Sequence, residues 1–286
     1  KTATATTMII AQISDLHISG PEGRPDLDYA TADHLARCVA HLNALDPRPD
    51  LVMVSGDLVD QGTAEEYQRL AAILKDLELP WRLLPGNHDH PELLRQTFAD
   101  HDYLPAEGPF LHYVIEDGSL RILALDTHMP GQVGGGLCDE RLDWLAARLE
   151  EGAERPTLIF MHHPPFESGI ELMDKNGYLT DRAKLGAIIA AYPNIVRIAC
   201  GHLHRPVTMG WQGTVVTVAP GAAHQLGLDL RPDGDVTVVL EPPACQLHVW
   251  KPDIGLITHT SYVGQFDSFA TSLKERTAAK ERAKAE

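Results

Sequence analysis

Residues 84–90 read Leu84-Pro85-Gly86-Asn87-His88-Asp89-His90. The run before them, Trp81-Arg82-Leu83-Leu84, reads as a short strand. Pro85-Gly86 stops it as a strong turn signal. Four polar side chains then follow in a row, where a turn needs a single Asn or Asp. The surplus of donors and acceptors asks what these side chains hold.

The same pattern recurs along the chain. The apolar run 8–13 ends at Ser14-Asp15-Leu16-His17, and 51–54 ends at Ser55-Gly56-Asp57. The run 157–161 ends at His162-His163-Pro164-Pro165, and 195–200 at Gly201-His202-Leu203-His204. Helical patterns alternate with these strands at 31–45, 65–77, 91–98, 139–150 and 181–191. In the first of them Leu35, Val39, Leu42 and Leu45 share a face, and Asp46-Pro47 stops it. Strands at 113–116 and 121–125 flank Asp117-Gly118, a hairpin signal. Further strands follow at 214–218, 236–240, 246–250 and 255–260, with no helix among them. The glycine run 134–136 reads as a mobile loop, and the Lys/Arg/Glu/Ala-rich tail from Ser272 as frayed helix or disorder. Strand–helix units in the first two-thirds predict an α/β protein with at least one layered sheet.

With 286 residues, 44% of them hydrophobic, the chain can bury the core of one large domain, with or without an extension. Twenty-four basic and forty acidic residues give a formal charge of -16. Such a surface argues against a nucleic-acid polymer or an anionic membrane as partner. A small anionic substrate remains open, because bound metal inverts the local field. Cys38, Cys138, Cys200 and Cys245 form no CxxC pair and read as buried thiols. No signal peptide and no run of about 18 apolar residues is evident, so a cytoplasmic location is expected.

Five strands thus end in metal-type donors, and ligands of α/β sheets bind outside the carboxyl ends of strands. Strands lying side by side would bring together Asp15, His17, Asp57, Asn87, His162, His202 and His204, with His88 and His163 adjacent. A mixed carboxylate, imidazole and amide set without thiolates suits Mn, Fe, Co or Zn. Seven donors exceed the needs of one ion, whereas two ions sharing a bridging carboxylate would use them. Each motif alone has a bland reading, as a helix cap or a turn; five together do not. His101, His112, His128, His248 and His259 lack ligand-like neighbours and read as surface or core histidines.

The motifs DLH, GDLVDQG, GNHD, HHPP and GHLH, in this order, resemble the five signature blocks of the calcineurin-like metallophosphoesterases. The stretches IFMHHPPF, CGHLHRP and PGAAHQ, with the Cys-centred strand near 245, are similar to the cyclic-nucleotide and glycerophosphodiester phosphodiesterase branch. The resemblance implies a four-layer αββα sandwich with a catalytic domain at 8–225. A small β-rich extension at 226–270 would cap the site and help build a homo-oligomer, a dimer or higher, and a charged tail at 271–286 would follow.

By the same resemblance, Asp15, His17, Asp57 and His204 hold one divalent ion. Asp57, Asn87, His162 and His202 hold the other, with Asp57 as the bridge. His88 faces the substrate phosphate and Asp60 orients it. Asn87 and His224 also face the substrate, and Asp89 stabilises the loop. The implied activity is hydrolysis of small phosphodiesters, such as 3′,5′-cyclic nucleotides or glycerophosphodiesters, by a metal-bound hydroxide. One departure bears on substrate: the protein phosphatases of the family read GDxVDRG, and here Gln61 stands in place of their phosphate-binding Arg. The alternatives are a phosphomonoesterase or nucleotide-diphosphate hydrolase on the same site, and a metal-free binding scaffold.

Overall fold

The protein was examined as a computed structural model, which describes residues 6–20, 30–177, 179–267 and 282. Three parallel strands open the chain: β1 (Met8–Ile13), β2 (Leu51–Ser55) and β3 (Trp81–Leu84). Helices α1 (Thr31–Asn43) and α2 (Ala64–Leu74) form the crossovers, and α3 (Pro91–Thr97) follows β3. Helix α1 buries Leu35, Cys38, Val39 and Leu42 along one stripe. Helix α2 starts at a capping box in which Thr63 and Glu66 satisfy each other's backbone N–H.

A second sheet is built from β4 (Tyr113–Asp117), β5 (Leu120–Leu125), β6 (Thr157–Met161), β7 (Ile195–Cys200), β8 (Val207–Trp211) and β9 (Thr214–Val218), in the order β4-β5-β6-β7-β9-β8. Helices α4 (Asp139–Glu151), α5 (Glu171–Asn176) and α6 (Arg182–Ala191) belong to its connections. A two-strand ribbon, β10 (Gln225–Leu226) with β11 (Val238–Val239), follows. Strands β12 (Ala244–Lys251) and β13 (Gly255–Tyr262) then return to the first sheet, whose order is β13-β12-β1-β2-β3.

Alternation along the inner strands fixes the layering. Ile122 and Ala124, Leu158 and Phe160, and Ala199 join the core shared with the first sheet. Their neighbours Leu123 and Leu125, Ile159 and Met161, and Ile198 and Cys200 pack instead with Leu142, Leu145 and Leu149 of α4 and Leu185 and Ile189 of α6. Strands buried on both faces carry apolar residues at every position. The order is helices, sheet, sheet, helices, and the four-layer αββα sandwich expected from the resemblance is the fold found.

The expected separate extension at 226–270 needs correction. Strand β12 pairs antiparallel with β1, from Met8 opposite Trp250 to Gln12 opposite Gln246, so 244–262 completes the first sheet. Among the described strands, β10 and β11 stand apart from the two large sheets. The expected strand 236–240 shrinks to β11, while β8 and the short α5 went unread because neither shows a clean period. The glycine run is packed rather than free: Gly135 abuts His163, and the Gly136 N–H donates to the Thr127 carbonyl. Cys138 is exposed, whereas the other three cysteines are buried. The tail at 271–286 lies outside the described residues, apart from residue 282.

One buried polar chain ties the sheets together. Gln12 Nε2 donates to Ser55 Oγ on β2 at 2.7 Å and to the Cys200 carbonyl on β7 at 2.9 Å. Gln12 Oε1 meets His248 Nε2 at 3.0 Å, and His248 Nδ1 meets Thr258 Oγ1 on β13 at 2.9 Å. Removing the amide leaves buried groups unpaired, at about 1–3 kcal/mol for each. Gln12→Leu should therefore destabilise the fold by roughly 2–4 kcal/mol in urea denaturation. A loss under about 0.5 kcal/mol, the scale of an ordinary surface change, would show that the chain does not couple the sheets.

Candidate metal centre

The candidate ligands lie where five strands end. Five of the seven take left-handed backbone conformations: Asp15, His17, Asp57, His202 and His204 have φ of 56°, 43°, 49°, 74° and 49°. Non-glycine residues rarely adopt this region, and such strain collects at functional sites. Close approach of backbone to side chain is also needed. A Cβ on Gly86 would sit 2.2 Å from Asp57 Oδ1, and one on Gly56, at φ 95°, would sit 2.4 Å from His162 Nδ1. Only glycine leaves room at either place.

Asp15, His17, Asp57 and His204 form one cluster, their ligand atoms all within 4.8 Å of one another. His17 Nε2 lies 3.1 Å from His204 Nε2, and His204 Nε2 lies 3.3 Å from Asp15 Oδ1. The His204 Nδ1–H donates to the His224 carbonyl at 3.1 Å. A carbonyl only accepts, so Nε2 keeps its lone pair for a cation. His162 is set the same way: its Nδ1–H donates to the Ser55 carbonyl at 2.8 Å. His162 Nε2 then stands 3.3 Å from Asp57 Oδ2, which also faces His17 Nε2 at 3.7 Å. One oxygen of Asp57 thus addresses both halves of the site, while its Oδ1 accepts the His88 backbone N–H at 2.9 Å.

The donor set fits two divalent ions. Asn87 Oδ1 is a buried acceptor with no hydrogen-bond partner, and His162 Nε2 is a buried ring nitrogen without one. Buried polar atoms are rarely left so, and a cation would satisfy both. Asp15 donates nothing and is fully buried, accepting the His202 N–H at 3.0 and 3.2 Å. Burial raises its carboxyl to about 6, with the Asp57 charge adding to the rise and His162 opposing it. Burial would raise Asp57 too, but the facing His162, His17 and His88 outweigh it and hold its carboxyl well below the usual range. Burial would lower His162, yet Asp57 outweighs it and lifts the imidazole to about 9. A cation arriving here displaces that proton.

Several neighbours support the ligands. Asp89 binds the loop, as expected: it accepts from the backbone N–H of Leu58 and Gly86 and from the Tyr67 hydroxyl, at 3.1, 2.8 and 2.8 Å. Burial pushes its carboxyl up to about 6. His163 is adjacent to a ligand in sequence but both its nitrogens are engaged, Nδ1 with Thr127 Oγ1 at 2.8 Å and Nε2 with the Val133 carbonyl at 3.1 Å. It pins the 127–137 loop. It still brings a ligand-type atom within 4.8 Å of those of His162 and His202.

Asp60 orients His88 through an atom other than the one expected. The His88 Nδ1–H donates to the Asp60 backbone carbonyl at 2.7 Å. The Asp60 carboxylate turns instead toward His17 Nδ1, at 3.7 Å, and accepts from Gln61 Nε2 at 2.7 Å. The reason is the bridge of Ile18 to Val59, with the Asp60 N–H on the Ile18 carbonyl, which holds this turn against the His17 loop. Burial would raise the Asp60 carboxyl, but His17 and Gln61 outweigh it and hold it at about 2. A carboxylate behind a ligand imidazole fixes its tautomer and orientation. His224 packs its ring 4.4 Å from His204 and 5.4 Å from His17, and burial, with His17 adding, keeps it neutral with a pKa near about 3. Sequence reading missed Thr127, Tyr67 and the supporting carbonyl of Ser55, none of which carries a local motif.

His17, Asp57, Asn87, His88, His204 and His224 open onto one cleft of about 260 Å³. Val236 and Val238, flanking and within β11, form part of its wall. Among the described residues lining it there is no Lys or Arg.

Known proteins are similar to this chain in sequence and in fold. The chain is 41% identical over 263 residues to a probable glycerophosphodiester phosphodiesterase of Arcobacter nitrofigilis, covering 91% of this chain and 95% of that protein. It is 29% identical to a 3′,5′-cyclic adenosine monophosphate phosphodiesterase of Pseudomonas aeruginosa, covering 77% and 81% of the two chains. A dimetal phosphatase of Danio rerio has the same fold, with a TM-score of 0.62, 13% identity, and coverage of 90% of this chain and 99% of that one. Residues 8–206, which carry all seven candidate ligands, match the calcineurin-like phosphoesterase family as a continuous block. The chain belongs to that family.

Proposed function

We propose that the protein is a metal-dependent phosphodiesterase acting on small diesters, such as 3′,5′-cyclic nucleotides and glycerophosphodiesters. The observation that carries this reading is that the described residues lining the cleft include no basic side chain. A phosphate monoester at neutral pH carries close to two charges and a diester one. Gripping the dianion calls for a further cation, ideally an Arg fork. Gln61 brings only a neutral amide, committed to Asp60. Arg205 follows His204 but turns away, donating to the Leu226 carbonyl and pairing with Glu241 at 3.2 Å.

Asp15, His17, Asp57 and His204 would hold one ion, and Asp57, Asn87, His162 and His202 the other. Imidazole, carboxylate and amide donors without thiolate favour Mn, Fe, Co or Zn. When bound, such ions neutralise phosphate charge and lower the pKa of a water, so that hydroxide is available near neutral pH. His88 then acts on the substrate. Its Nδ1–H is held by the Asp60 carbonyl, which leaves Nε2 to meet a phosphoryl oxygen or protonate the leaving alkoxide. Asn87 and His224 border the same space.

The wider setting follows from the surface. Exposed Leu228, Leu230, Val238 and Leu240, on the segment around β10 and β11, give a second copy an apolar face to pack on. No helix among the described residues is long and apolar enough to cross a membrane. Four unpaired thiols suit a reducing compartment, the cytoplasm.

Asp57→Ala should lose both ions and nearly all turnover, while Asn87→Ala should keep the first ion and weaken the second. His88→Ala should keep its metal content and lose about 10²–10⁴-fold in turnover. Elemental analysis of the purified variants separates these roles. Two tightly held metals in Asp57→Ala, or a lost metal in His88→Ala, would refute the assignment.

Wild-type kcat/KM for an aryl phosphodiester should exceed that for the matching monoester, and Gln61→Arg should narrow the gap. Both substrates are to be assayed on both proteins at equal metal loading and pH. A wild-type preference for the monoester would overturn the phosphodiesterase reading.

A further inference from the structure

A second and larger cavity, about 590 Å³, opens on the far side of Asn87 and His88. These two residues line both spaces, so a molecule whose phosphate sits over the metal centre can extend past His88 into the second one. Its outer wall is formed by Phe110 and the prolines Pro91, Pro109 and Pro130. The volume falls within the roughly 300–1,000 Å³ of ordinary small-molecule pockets and is far more than a glycerol arm fills.

Phe110 is fixed before any ligand arrives. The Arg141 guanidinium lies over its ring, 4.1 Å from the centroid. Arg141 is buried and donates to the carbonyls of Gly136 and His128, so it cannot swing away freely. Phe110 also packs against His112, with ring centroids 5.4 Å apart, and His112 stacks on Trp144 at 4.7 Å. A guanidinium and two further rings hold one aromatic side chain at the edge of a cavity that adjoins the reacting phosphate. An aromatic so placed is a stacking platform, and stacking is sequence-tolerant because every base has a π-face.

We infer that this cavity receives the organic arm of the diester and selects a flat ring system, a nucleoside base or an aryl group, over glycerol. Phe110 is then a specificity residue outside the metal centre. The inference rests on the phosphodiesterase reading above and names the substrate class within it. The three prolines give walls that need no reordering on binding, and Gln61 and Glu92 at the rim offer hydrogen-bond partners to the edge of a ring.

The test compares diesters that share a leaving group. Bis(4-nitrophenyl) phosphate and methyl 4-nitrophenyl phosphate differ only in the arm that stays. The wild type should favour the aryl arm. Phe110→Ala should lower kcat/KM for the bis-aryl diester about tenfold, the scale of one stacking contact, and leave the methyl diester within twofold. Phe110→Trp should restore the preference. A readout independent of turnover is calorimetric binding of adenosine 5′-monophosphate and glycerol 3-phosphate to the metal-loaded protein. The nucleotide should bind about tenfold tighter, and Phe110→Ala should erase the difference. Equal losses on both diesters, or equal affinity of the two phosphates for the wild type, would overturn the inference. Failure of the wild type to hydrolyse either diester would instead strike the phosphodiesterase reading, and the binding comparison would still decide the pocket.

Discussion

The fold is organised around a buried carboxylate. Asp57 is 2% exposed and sits among histidines at the end of β2. A buried charge costs several kcal/mol unless it is paired and hydrogen-bonded. Here the His88 backbone N–H serves one oxygen, and the Nε2 atoms of His162 and His17 face the other. Every one of those partners comes from a different strand end. Asp57 therefore requires that β1, β2, β3 and β6 stop at one level, and both sheets are needed to make them do so. The buried Gln12 chain, which joins β2, β7 and β12 through β1, holds that level.

Strain and crowding follow from the same requirement. Bringing donors from several strands within 4.8 Å forces the chain to turn sharply at each end. The left-handed conformations of Asp15, His17, Asp57, His202 and His204 are how it turns, at a cost of order 1–3 kcal/mol for each. Gly56 and Gly86 supply clearance where no side chain fits. Carbonyls at the ends of the strands then do a second job. Those of Ser55 and His224 each take an imidazole Nδ1–H and so decide which nitrogen is left to bind.

This explains what was readable in the chain and what was not. A ligand side chain must be a specific residue at a strand end, so Asp15, Asp57, Asn87 and the His-x-His of 202–204 stand out in the sequence. Apolar runs such as 158–161 showed a layered α/β sheet, while the four-layer sandwich came from the resemblance of the strand-end motifs to a known family. Supporting contacts made by backbone atoms leave no such mark. That Asp60 uses its carbonyl on His88 and its carboxylate toward His17 depends on how two loops pack. The return of β12 beside β1 spans more than two hundred residues, and alternation in β12 looks the same in a separate hairpin as in a shared sheet. Phe110 carries no motif, and its place depends on the nearby His112 ring and on Arg141 and Trp144 of α4.

Charge balance connects the acidic chain to its substrate. The protein carries -16 overall, and the described residues of the cleft add no lysine or arginine to attract an anion. Attraction must come from the metal centre. Two divalent ions against the carboxylates of Asp15, Asp57 and Asp60 would leave one positive charge at the head of the cleft, where burial of the ligands makes each unbalanced charge weigh heavily. A hydroxide and a singly charged diester exceed it by one. A doubly charged monoester exceeds it by two, and the guanidinium of Arg205 is turned to Glu241. The Arg141 charge is likewise committed, to Phe110 and two carbonyls. On the proposed reading, discrimination between phosphate esters comes from leaving a cation out, and the organic arm decides among the diesters.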